Sequence, residues 1–250
     1  MSVTKCSLLI ALTISMGSVA CTGISSEIDS EIVAPTNDDQ KKIIADFRAE
    51  KKWLFSDGAD KVDTAQAHDV VERALGGGAS ERYRLAASVE GHFTQKEQQQ
   101  TLHVIVNRKV TAASKEVIPS ILVIFQANKP ITQFVLDKAS YIDIESVLDI
   151  SSDGLHEVLL TAAAYQMGSL FIAADLYGFN EPDSLLKQEL GVVYANTCDA
   201  AIANSRQIRA SVLSVTADSD ALMSENFESL CSEKGGSTGI ESFVPASSSQ

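Results

Sequence analysis

Basic residues are in the minority in this chain: 20 Lys and Arg stand against 33 Asp and Glu, a formal net charge of −13. Such a balance repels phosphate backbones and anionic headgroups, which excludes nucleic acid as a partner and electrostatic docking on lipid. Rings are scarce, at 6% of residues with a single tryptophan, so a core must be built mainly from aliphatic side chains. Trp53 reads as part of that core. The four cysteines form no CxxC pair and no HxxxH accompanies them, so a structural zinc site is not encoded. Gly76-Gly77-Gly78 lacks the Lys-Ser/Thr of a phosphate loop. Gly235-Gly236-Ser237-Thr238-Gly239 matches the nucleophile elbow in letters only, because it lies in a polar run without the flanking strand and helix. Beyond the N-terminus no apolar run reaches the roughly 20 residues of a membrane-spanning helix.

What the chain does have begins at its start. Lys5 is followed by an apolar run from Leu8 to Met16 and by the small residues Ser18-Val19-Ala20, directly before Cys21. That order predicts a cleaved export signal over residues 1–20. The cysteine after the cleavage site resembles the lipobox of bacterial lipoproteins, with Ser18 where that family usually has Leu. The resemblance implies a lipid on Cys21 that holds the protein to a membrane. Thr22 stands in place of the Asp that retains such proteins at the inner membrane, which implies the outer membrane in an envelope that has one. Cleavage removes Cys6, and the lipid takes Cys21. Cys198 and Cys231 then remain as an even pair, expected to bridge in an oxidising compartment, with two buried thiols as the alternative.

Residues 21–36 are polar and read as a tether. Residues 37–81 read as a helical segment. Asn37 can cap a first helix with Ile43, Ile44 and Phe47 on its apolar stripe. A second begins near Asp63, with Ala67, Val70, Val71, Ala74 and Leu75 at helical spacing, and ends at Gly76. From about Arg82 the period becomes 2. Strands are expected at 83–89, 102–106, 118–125, 131–136, 141–148, 157–163, 169–177, 191–194 and 211–215, joined by links too short for crossover helices. Short helices are expected at 200–207 and 221–230, and a loose Ser- and Gly-rich tail over 232–250. The expected fold is therefore mainly β and antiparallel, propeller-blade-like or an open β-sandwich, with two short N-terminal helices packed on it.

The segment Asp149 to Glu157 carries the strongest internal motif. Asp149, Ser151, Asp153 and Glu157 fall at alternate or near-alternate positions around Gly154, and the Leu155 carbonyl adds a further oxygen. Calcium takes several oxygen ligands from such a loop; the alternative is a hairpin turn whose carboxylates bond backbone amides. Position 12 of an EF-hand would be Leu160, so the loop is not one. With its flanks, 147–160 resembles the FG-GAP or VCBS-type repeat of exported and cell-surface proteins, which implies β-propeller blades. The wider pattern, from Gly91-His92-Phe93-Thr94 through Asp153-Gly154 to Glu157, is similar to a group of exported bacterial proteins of unknown function. A gapless offset of 57 residues sets His92-Phe93-Thr94 over Asp149-Ile150-Ser151 and Gln100 over Glu157. This predicts two degenerate copies of one unit, at about 82–136 and 139–178, within a β-rich domain of 82–231.

The functional expectation is a non-enzymatic exported lipoprotein with a binding or structural domain facing the periplasm and a protein partner in the envelope. No cofactor is required, with calcium as the one candidate ion. The alternative is a metal-dependent envelope hydrolase built on His92, His103 and a carboxylate.

Overall fold

Alternation of apolar and polar residues from Tyr83 onward becomes antiparallel sheet throughout. The computed structural model describes residues 41–49, 64–109, 118–136, 141, 143–181, 184–200, 206–216, 219–231 and 242–246. The signal, the tether with Cys21, Trp53, most of the tail and residues 201–205 of an expected helix lie outside them. The elements in chain order are β1 (Lys41–Asp46), helix α1 (Ala65–Leu75), β2 (Tyr83–Gly91), β3 (Gln100–Asn107), β4 (Ser120–Gln126) and β5 (Lys129–Leu136). There follow β6 (Asp143–Leu148), β7 (Glu157–Gln166), β8 (Ser169–Glu181), β9 (Ser184–Asn196), β10 (Gln207–Thr216), β11 (Ser219–Leu230) and β12 (Val244–Pro245).

Helix α1 starts where Thr64, in extended conformation, accepts a hydrogen bond from the Ala67 amide at 3.2 Å. It stops at Gly76, whose φ of 98° suits a residue without Cβ. Its buried face, Ala67, Val70 and Val71, packs on Leu85, Ile105, Val123 and Phe125 from the outer face of the sheet β2-β3-β4-β5. The other face of that four-stranded meander supplies Leu102, Val104, Leu122 and Ile124 to a second core, shared with Val158, Leu160, Tyr177 and Phe179 of β7 and β8. Two sheets are thus stacked face to face with one helix outside.

The larger sheet runs β12-β11-β10-β9-β8-β7-β6 and forks. β9 pairs with β10 only through Tyr194, Ala195 and Asn196. From Val212 to Thr216 the same side of β10 is paired with β1 instead. The far half of the β8–β9 hairpin therefore diverges from β1, β10 and β11. A third core fills the fork, with Phe47, Leu159, Ile172, Val193 and Leu213 as members.

Three sequence expectations are corrected. Ile43 and Ile44 lie on a strand, β1, and Phe47 directly follows it, so the described residues contain one α-helix where two are expected. Six residues give little to offset the cost of a helix nucleus, whereas β10 offers an unpaired ladder side. A bulge at Ile44 then turns Ala45 and Phe47 into the core. Residues 221–230 belong to β11, because their ladder with β10 runs from Gln207–Leu230 to Thr216–Ser219 and outweighs local propensity. Within the expected tail, Val244 and Pro245 pair with Glu228 and Phe227, adding β12 to the sheet.

Candidate functional site

The hairpins β2–β3 and β6–β7 each close on an eight-residue loop, through the pairs Gly91–Gln100 and Leu148–Glu157. These pairs stand at the 57-residue offset read from the sequence. In both, the first residue after the loop turns back into it. Gln100 Oε1 accepts from the amides of Phe93 and Thr94, both at 2.9 Å, and its Nε2 donates to Thr94 Oγ1 at 2.8 Å. Glu157 Oε2 accepts from the Ile150 amide at 2.7 Å.

The remaining carboxylates of the second loop behave alike. Asp149 Oδ1 accepts from the Asp153 amide at 3.0 Å, and its Oδ2 accepts from Gly154 at 2.9 Å. Asp153 Oδ1 accepts from the Leu155 amide at 2.7 Å. Ser152 and Gly154 hold positive φ, 54° and 86°, where the chain reverses. Ser151 is exposed, and Leu155 is half-buried. Asp149, Asp153 and Glu157 are thus each bonded to loop amides, the arrangement of a self-capped turn.

The two loops also clip to each other. His156 donates its amide hydrogen to the His92 carbonyl at 2.6 Å, and His156 Nδ1 accepts from the His92 amide at 3.1 Å. The two rings meet edge to face at 5.4 Å. A Cβ on Gly91 would lie 2.7 Å from His156 Nδ1, so this approach needs glycine.

His103 is elsewhere. It stands opposite Ser88 in the β2–β3 ladder, with Nδ1 2.7 Å from Ser88 Oγ and its ring edge-on to Phe125 at 4.7 Å. The structure therefore pairs His92 with His156 and not with His103. Burial, aided by the Arg73 charge, lowers the His103 pKa to about 4. Among the described residues no group of three His, Cys, Asp or Glu is placed to hold a metal ion.

A polar cluster of buried Tyr141, Asp175 and Tyr177 with exposed Lys187 lies beside the core between the stacked sheets, and no sequence motif announces it. Asp175 Oδ2 accepts from the Tyr141 hydroxyl and from Lys187 Nζ at 2.9 Å. The Tyr177 hydroxyl donates to Tyr141 at 2.9 Å. Burial, then the Asp175 hydrogen bond, pushes the Tyr141 hydroxyl above its ordinary value. Burial works against the Lys187 charge, but Asp175 and Glu189 outweigh it and hold the ammonium above the usual lysine range. The hint in the sequence is Asp175, a lone carboxylate in the apolar run from Phe171 to Tyr177.

Cys198, just past β9, and Cys231, just past β11, are joined by a disulfide with Cα atoms 5.5 Å apart. A cleft of about 700 Å³ opens at the fork, where β9 leaves β10. Phe171, Ala195, Arg209, Ser211, Asn226 and Glu228 line it from one face of the sheet. Comparison of the chain with protein-family models, curated proteins and solved structures gives no match.

Proposed function

We propose that this chain is a non-enzymatic lipoprotein of the bacterial cell envelope. It is exported by residues 1–20, anchored through lipid on Cys21 and equipped with a β-rich domain that binds an envelope partner. The observation that carries the reading is the Cys198–Cys231 disulfide. Disulfides persist in exported proteins, and this one leaves Cys21 as the single unpaired cysteine once the signal and Cys6 are removed. The paired hairpin loops support the repeat reading, a binding scaffold on which loops rather than strands carry recognition. No resident cation is part of the proposal, since Asp149, Asp153 and Glu157 already bond loop amides. Thr22 after the anchor supports the outer membrane as the address.

The full chain expressed in a Gram-negative host tests this directly. The mature N-terminal peptide is expected to begin at Cys21, to carry acyl chains by mass spectrometry, and to fractionate with the outer membrane. A Cys21→Ser variant should carry no acyl chains. An unmodified N-terminus in the native chain would overturn the anchor.

A further inference from the structure

We propose that the outer edge of β5 pairs antiparallel with the same strand of a second copy of this chain. β5 ends the sheet order β2-β3-β4-β5, and among the described residues no strand pairs with its other side. An edge of this kind is a template for another strand. Lys129, Pro130 and the bulge at Ile131 guard it next to the turn, but no charge or proline guards the stretch from Ile131 to Leu136. In a chain of net charge −13, two copies meet along this uncharged stretch without opposing like charges.

The β4–β5 ladder fixes which groups the edge presents. The turn Ala127-Asn128, with φ of 47° and 65°, closes on Gln126 and Lys129 as a two-residue hairpin, whose closing pair exchanges ladder bonds. Alternation along β4 then directs the backbone groups of Ile124 and Leu122 to β5, and those of Val123 and Ile121 to β3. Gln133 and Val135, the partners of Val123 and Ile121, therefore turn their N–H and C=O groups outward. Their side chains lie on the α1 face of the sheet, with those of Val123 and Ile121. Alternation from Thr132, which opposes Ile124, sets Ile131 on that face too. Ile131 and Val135 are 43% and 53% exposed, with Gln133 exposed between them.

The order Ile131-Gln133-Val135 selects a copy as the occupant. A copy laid antiparallel about Gln133 sets Ile131 against Val135 twice, apolar on apolar, and Gln133 against itself. A side-chain amide both donates and accepts, so it complements its own kind. The sequence carries Lys129 and Asp137 at equal distances on either side of Gln133, so the same register matches unlike charges at both ends. The contact is two-fold and self-complementary, and it joins the four-stranded sheets of two copies into one.

This pairing goes beyond the anchoring reading and does not depend on it. Oxidative crosslinking of the full chain in its expression host tests it. Gln133→Cys is compared with the native chain and with Gln188→Cys, an exposed position on β9. Opposed Gln133 positions in the pairing have Cα atoms about 5.5 Å apart, within disulfide reach. A disulfide-linked species of twice the chain's mass is expected from Gln133→Cys alone. Detergent-purified native chain should sediment as a dimer at micromolar concentration, and Val135→Lys as a monomer with an unchanged melting temperature. Equal linkage in Gln133→Cys and Gln188→Cys, or a native chain that stays monomeric, would overturn the proposal. A Gln133→Cys adduct of any other mass would put a different strand on the edge and overturn it as well.

Discussion

His103 is neutral in the folded protein because its ring is enclosed by Phe125 and the face beneath α1, with Arg73 nearby. In the unfolded chain the same ring titrates near 6.5, and in the fold near 4. Between these values the unfolded state binds more protons, so this contribution to stability is complete above pH 6.5 and is lost as pH falls toward 4. The difference corresponds to about 3 kcal/mol at pH 4. Urea unfolding across that window should show the decline, and His103→Leu should flatten it; an unchanged slope in the variant would rule out His103 as its source. The Tyr141–Asp175–Tyr177–Lys187 cluster works at the same scale, but the sequence offers no motif for it beyond the lone carboxylate of Asp175. Its members come from three segments and meet only because β8 and β9 pair Tyr177 with Lys187. His103, by contrast, lies on a strand that the alternation predicts, and there its ring is hydrogen-bonded to Ser88 and not set beside His92.

At the scale of elements, sequence pattern located most strands and the capped helix α1, where periodicity was long and clean. It failed at β1 and β11. β1 has only six residues and is decided by a distant ladder on β10, whereas the mixed polar and apolar residues of β11 suit either period and are decided by the hairpin ladder with β10. The Asp149–Glu157 loop was legible as a tight turn rich in oxygen ligands. Which way its carboxylates point was not, since a cation loop and a self-capped turn need the same residue types. With the carboxylates on amides, millimolar calcium should leave the melting temperature unchanged in both the native chain and Asp153→Ala. A rise of several degrees in the native chain, lost in the variant, would assign the loop to calcium.

For the whole molecule, the disulfide is the largest single constraint on the chain. It ties the end of β9 to the end of β11 on either side of the start of β10, across a separation of 33 residues. Loop-closure entropy puts its contribution at about 4 kcal/mol. The Cys198→Ala/Cys231→Ala double variant should therefore melt about 10 °C lower by calorimetry. A shift under a degree or two would mean that the native ladders already impose the constraint. The even cysteine pair was readable from the sequence, but the forked sheet that brings it together was not, because it depends on β9 leaving β10 part-way along.

That fork sets an order of events. Lys41 finds its ladder partner at Thr216, so the first described strand cannot be seated until almost all of the chain has been made. Pairings of such long reach are slow to form. Until β10 arrives, Phe47, fully buried in the finished fold, has no core to enter. An emerging chain therefore carries an unclosed apolar stretch near its front until β10 has been made, a form exposed to aggregation.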